Sequence, residues 1–216
     1  MPKHGDSFDL SDAVYPSLLE VFEKGGTTGD TTSTSYGYVL DGVAQVEVSG
    51  FHFNLKEGGF FCVPGKFELS PNGIVVLIRK LGYRGMFVAG CTEKIGRLSY
   101  IDGCSDTILV MPPRLGDPVL NYLHFPKGVN QTQHTHPTYR LGIVAEGAGV
   151  AYAPGWREQL SKGCVFQLDP HEVHSFQTLE GEVAMDVIAF HPDSDWGPTD
   201  AIHPMLNRTY IGPTRQ

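Results

Sequence analysis

The chain has no apolar run approaching the roughly 20 residues a membrane-spanning helix requires, and no cluster of lysine and arginine. The first absence leaves no candidate span and argues against a membrane partner. The second, with a formal net charge of −8, argues against a nucleic-acid partner, because phosphate binding needs concentrated positive charge. The opening segment, Met1 to Leu10, is polar and lacks the apolar core of a signal peptide, so a cytoplasmic protein is expected. Cysteine is sparse. Cys62, Cys91, Cys104 and Cys164 show no Cys-x-x-Cys spacing and read as small core residues of a reducing compartment. A sustained helical period is also missing after residue 30.

What the chain does have is punctuation. Its 26 glycines and 15 prolines are spread along the whole length, the signature of many short strands and turns rather than of disorder. One short helix is predicted near the start, capped by Ser11 and running through Val14, Leu18, Leu19 and Phe22. Strands are predicted at 36–40, 44–48, 51–55, 59–63 and 74–81, with Asp41-Gly42 and Ser49-Gly50 as turns. A Pro/Gly-rich loop at 111–117 precedes a second series at 119–125, 132–136, 141–145, 149–153, 164–168, 174–177 and 184–190.

The two series repeat one plan. Tyr38-Val-Leu-Asp-Gly-Val-Ala precedes Gly58-Gly-Phe-Phe-Cys-Val-Pro64, and Ile143-Val-Ala-Glu-Gly-Ala-Gly precedes Gly163-Cys-Val-Phe-Gln-Leu-Asp-Pro170. In each, a strand ends in an acidic-Gly turn and a Gly-led strand ending in proline follows. The expected class is all-β, two β-barrel domains, one over residues 1–110 and one over residues 111–216.

Chemistry concentrates in the second copy. His134 and His136 are two apart on a predicted strand, which points both imidazoles to one face. Some 38 residues later another strand and turn end in His174, which a barrel can bring beside the pair. The stretch from Gly128 through His134-Thr-His136 to Gly147 resembles the first motif of the cupin superfamily, and Gly163 to His174 resembles the second. Arg140 stands where the family's glutamate ligand would be, and Asp169 and His171 replace the second motif's proline and internal glycine. The resemblance implies two double-stranded β-helix (jelly-roll) cupin domains, the first without metal ligands and the second holding a divalent metal on His134, His136 and His174. Other histidines, His4, His52, His124, His171, His191 and His203, have no such frame. Of these, His124 and His171 are the candidates for the pocket or its support.

Arg140 divides the reaction classes. A unit positive charge about 6 Å from a divalent ion costs on the order of 5 kcal/mol at an effective dielectric near 20. Either the guanidinium turns to Asp169, Glu172 or Asp186, or an anionic substrate bridges it and the metal through its planar fork. Cupins that keep three histidines and lose the glutamate are often dioxygenases, so the resemblance favours Fe(II) and a small carboxylate-bearing substrate, with Arg140 the catalytic candidate. A metal-dependent isomerase or lyase using Zn, Mn or Ni, and a non-catalytic small-molecule-binding bicupin, stay open. Parity places Thr132, Thr138, Phe166, Leu168, Phe176 and Ile188 toward the cavity, with Tyr122 and Trp156 at its rim. A homodimer is expected. The tail from His191 to Tyr210 reads as a cap or a clasp on a second subunit, and Asp193 and Asp195 hint weakly at a cation loop.

Overall fold

Extended backbone dominates the computed structural model, which describes residues 7–114, 116–178 and 183–194. The first lobe contains β1 (Ser7–Leu10), β2 (Ser17–Phe22), β3 (Gly26–Thr28), β4 (Thr34–Val48), β5 (Phe51–Lys56), β6 (Gly59–Pro64), β7 (Phe67–Lys80) and β8 (Val88–Cys91). The second contains β9 (Leu98–Ser99), β10 (Ser105–Val110), β11 (Val119–Phe125), β12 (Arg140–Ala153), β13 (Trp156–Ser161), β14 (Val165–Leu168), β15 (Ser175–Gln177) and β16 (Met185–His191). One sheet runs β1-β2-β7-β4-β6-β8, with β3 on β7 and β5 on β4. The other runs β13-β12-β16-β11-β10-β9, with β14 and β15 on β12. The second sheet thus begins at Leu98, upstream of residue 111. Among the described residues the one helical element is a 3-10 turn, Ile101–Gly103. No helix of theirs is long and apolar enough to cross a membrane.

The all-β class is as expected, but three local expectations are corrected. The predicted N-terminal helix is a strand: Ser17, Leu19 and Val21 are buried with period two, while Val14 is 90% exposed. The segment is apolar enough to fit either period, and pairing with β7 selects the strand. Asp41-Gly42 and Glu146-Gly147 are not turns between strands. They are bulges inside the long strands β4 and β12, where the register shifts after Val39 and Val144. At Gly147 φ is +75° and a Cβ would fall 1.7 Å from the Ala184 carbonyl oxygen, so a glycine is required there. The third correction, at 132–136, belongs to the metal centre below. Ser49-Gly50 is the hairpin turn expected, both residues at positive φ between β4 and β5.

Alternation along the strands sends side chains to two different cores. From one face Tyr36, Tyr38, Leu40 and Ile78 of the first lobe meet Leu120, Tyr122, Leu141, Ile143 and Phe190 of the second. The rings of Tyr36 and Phe190 lie 5.1 Å apart in this shared layer. The opposite faces fill each lobe separately: Val39, Phe61, Leu69 and Leu77 in the first, and Phe125, Leu168, Phe176, Val187 and Ala189 in the second. Lys162 joins the lobes at the edge, reaching Glu57 at 2.5 Å and Glu146 at 2.8 Å.

Gly37 and Gly142 occupy matching places in the lobes, each paired with a phenylalanine, Phe61 and Phe166. A Cβ at either would stand 2.1 Å from the ring. Gly142→Ala is expected to destabilise by about 1–3 kcal/mol through overpacking. A lower denaturant midpoint at unchanged slope checks it.

Candidate metal centre

His134 and His174 face each other across an isolated antiparallel bridge. The backbone N–H of each donates to the other's carbonyl at 3.0 Å. The His136 carbonyl accepts the backbone N–H of His171 at 2.7 Å. These hydrogen bonds fix the backbone of all three histidines without a regular strand at 132–136, the third correction. Its cause is local: the Thr132 N–H is taken by the Asp102 carboxylate at 2.5 Å and its carbonyl by His134 Nδ1 at 3.0 Å, so that backbone is committed outside a ladder.

The three rings converge, with centroids 4.5 Å apart for His134 and His174, 5.0 Å for His134 and His136, and 5.1 Å for His136 and His174. Their potential ligand atoms all lie within 4.8 Å of one another. Nδ1–H of His134 donates to the Thr132 carbonyl, and Nδ1–H of His174 to the Glu172 carbonyl at 2.9 Å. Each of these bonds leaves Nε2 as a lone-pair donor. Burial holds all three imidazoles below the usual histidine range: His174 falls to about 4, His136 lies well down, and His134 is lowered. The Arg140 charge pushes in the same direction. Neutral, oriented and convergent nitrogens fit a divalent ion.

The same burial sets a pH dependence for the metal-free protein. Below pH 6.5 the unfolded chain protonates these histidines while the folded chain does not, so stability is present above that value and falls as pH drops toward 4. Denaturant midpoints measured between pH 7.5 and 4.5 should fall steadily, and saturating metal should flatten the upper part of the slope.

Arg140 opens β12 and is only 3% exposed. Its Nη1 donates to the Thr138 carbonyl (2.9 Å), the Thr138 hydroxyl (2.7 Å) and the Tyr139 carbonyl (3.0 Å). The Thr138 hydroxyl in turn donates to Asp193 at 3.1 Å. Of the carboxylates considered as partners, Asp186 bonds His124 at 2.7 Å, Glu172 accepts from Trp156 at 3.0 Å, and Asp169 accepts from Gln167 at 2.7 Å.

Arg140 and the three histidines line one small cavity of about 50 Å³. Phe166, Leu168 and Phe176 form its apolar wall as expected. Ile188 and Tyr122 do not; they belong to the layer between the lobes, and their neighbours Val187, Ala189 and Asn121 face the cavity instead. Thr132, Thr138 and Trp156 also lie outside the lining, and Trp156 is exposed on β13. Five polar lining residues escape a sequence reading: Tyr100, Asp106, Asn121, Gln131 and His191. His191 stands 6.2 Å from His136, ring to ring. The available signal was a polar residue inside an apolar strand, as in Val119-Leu-Asn-Tyr-Leu123. His124 pairs with Asp186, and His171 supports His136 through its backbone. Cys62 and Cys104 are buried as expected, whereas Cys91 is exposed. His4, His203 and the tail from Asp195 onward lie outside the described residues.

Solved structures with this architecture include a cupin 2 conserved barrel domain protein from Leptotrichia buccalis, at 18% identity and TM-score 0.64, covering 88% of this chain and 90% of that one. The fold is a cupin fold. A second neighbour, protein Ylba from E. coli, aligns at 18% identity and TM-score 0.67 over 90% of this chain and 85% of that one. A mutant salicylate 1,2-dioxygenase from Pseudoaminobacter salicylatoxidans, in complex with gentisate, aligns at 13% identity and TM-score 0.61 over 81% and 67%. A family model described as an AraC-like ligand binding domain matches residues 124–210, the portion of this chain that carries the three histidines. No curated protein sequence matches the chain.

Proposed function

We propose that the second lobe is a three-histidine iron(II) dioxygenase site for a small carboxylate-bearing acid. The observation that carries this reading is the sharing of one small cavity by a buried arginine and three neutral imidazoles. Iron(II) held by His134, His136 and His174 would supply the oxygen chemistry, and the three neutral ligands leave its double charge intact. Arg140 binds the substrate carboxylate and offsets that charge locally with an anion. The phenylalanine and leucine wall excludes water and strengthens both interactions. The gentisate-bound dioxygenase supports the reading by fold analogy alone. The first lobe serves as a metal-free partner in the same proposal. Its Phe67 faces Thr28 as His174 faces His134, and the Phe67 ring packs on Phe61 at 5.7 Å.

Metal analysis of protein purified without added metal, followed by oxygen consumption on a panel of aromatic acids, diketones and thiols, tests the proposal. Iron near one per chain and uptake with at least one member of the panel are expected. A flat response from iron-loaded protein overturns it. The match to an AraC-like ligand binding domain favours a second reading, a binding site without turnover. In that case the panel yields affinity and no product.

A further inference from the structure

Arg140 Nη1 donates to three acceptors, the carbonyl and hydroxyl of Thr138 and the carbonyl of Tyr139. These two residues precede β12 and belong to no strand, so no ladder holds their carbonyls. Their side chains, both buried, supply the anchorage instead. The Thr138 hydroxyl donates to the Asp193 carboxylate just past the end of β16. A carboxylate only accepts, so the one hydroxyl hydrogen goes to Asp193 and a lone pair is left for Arg140.

The second anchor crosses to the other lobe. The Tyr139 ring lies in the layer that the lobes share. Its hydroxyl donates to the Tyr15 carbonyl at 2.6 Å and shares a hydrogen bond with the fully buried Ser17 hydroxyl, also at 2.6 Å. The segment that receives it is itself fixed. Between those two residues the Pro16 carbonyl accepts the Leu81 N–H at 2.9 Å and Lys80 Nζ at 3.3 Å, and Ser17 opens β2 opposite Lys80 of β7. A tyrosine has only two side-chain torsions, so holding its hydroxyl also restrains the backbone that carries it. A planar guanidinium grips a carboxylate only when its plane is aimed, and a restrained carbonyl under Nη1 sets that aim.

We propose that the metal-free lobe sets the anion clamp of the metal-bearing lobe: Tyr139, anchored on Tyr15 and Ser17, is a positioning residue that fixes the direction of Arg140. The inference rests on the anion-clamp reading of the cavity and gives the first lobe a part in it. Tyr139 touches neither ion nor acid in this arrangement and acts through Arg140.

Calorimetric affinities of zinc-loaded protein for acetate, propionate and benzoate test it, because zinc takes oxygen chemistry out of the measurement. Tyr139→Phe, which keeps the buried ring, is expected to weaken carboxylate binding by about three- to tenfold, the worth of one hydrogen bond, with zinc affinity unchanged. The deciding comparison repeats the substitution in an Arg140→Gln background. A residue that acts through Arg140 loses its effect there, whereas a general structural role gives the same loss in both backgrounds and overturns the inference. Unchanged carboxylate affinity in folded Tyr139→Phe overturns it, as does a parallel fall in zinc affinity. Should that variant not fold, Ser17→Ala removes one partner of the same hydroxyl and is read by the same comparison. Carboxylate binding that ignores Arg140→Gln, or no binding of any of the three acids, removes the clamp and this inference with it. Arg140-dependent binding that ignores Tyr139 sinks this inference alone, while selective binding without oxygen uptake by the iron form sinks the dioxygenase reading alone.

Discussion

His174→Ala is expected to lower metal affinity by at least about a hundredfold, beyond the ten- to hundredfold typical of losing a supporting residue. The argument starts from geometry. Two ligands remain after the change, and both sit on the loop between Thr132 and Thr138, which is tied to the barrel by the backbone bridge to residue 174 and the bond from the His171 N–H. Alanine keeps the backbone bridge, so the loop should hold while the ion loses one of its three nitrogens. Removal of a 1% exposed imidazole also opens a void beside Phe176, whose ring centroid is 5.8 Å away. A modest loss of metal-free stability is expected as well. The decisive measurement is the thermal shift on metal addition. Metal at a hundred times its dissociation constant stabilises the native state by about 2.7 kcal/mol, and a hundredfold weaker site loses nearly all of that. An unchanged metal-induced shift in the variant would mean that the three rings do not share an ion.

Much of this centre was legible in the sequence, for identifiable reasons. Gly147 and Gly163 sit at positive φ, and at Gly147 the neighbouring backbone leaves no room for a Cβ. Such positions hold glycine at fixed distances from the histidines, so the motif can be read without a structure. The strands around Ser49-Gly50 were legible because that turn needs two residues at positive φ. The misreadings also have physical causes. Burial on both faces of the central strands removes the polar alternation that usually tells inside from outside. Tyr122 and Ile188 therefore looked as suited to the cavity as Asn121 and Ala189, and only the packing of one lobe on the other assigns the faces. Bulges hide in the same way. Asp41-Gly42 carries the composition of a hairpin turn, yet β4 continues through it because β7 follows on the far side. At the start of the chain, Leu18-Leu19-Glu-Val21-Phe22 has apolar residues at both periods, and a local pattern cannot report that β7 is waiting to pair with it.

Arg140→Gln separates the two roles that a buried guanidinium can have. As an anion clamp, its loss should weaken binding of small carboxylates by about ten- to a hundredfold, the worth of a charged hydrogen bond in a water-poor site. Metal affinity should hold or rise, because the cation that depresses the protonation of His136 and adds to the repulsion of an incoming ion is gone. As a purely structural group, its loss should instead lower stability and leave carboxylate affinity in the folded fraction untouched. Some destabilisation is expected in either case, since Nη1 holds the Thr138 and Tyr139 carbonyls in place. Stability by itself is therefore no discriminator, and the informative quantity is the ratio of carboxylate affinity to metal affinity in one preparation. Arg140→Lys sharpens the contrast: a lysine keeps the charge and loses the planar fork. Partial recovery of carboxylate binding, with metal affinity returning to the wild-type value, would show that the charge faces both the ion and the acid. Full recovery would remove the fork from the argument and leave a simple electrostatic attraction.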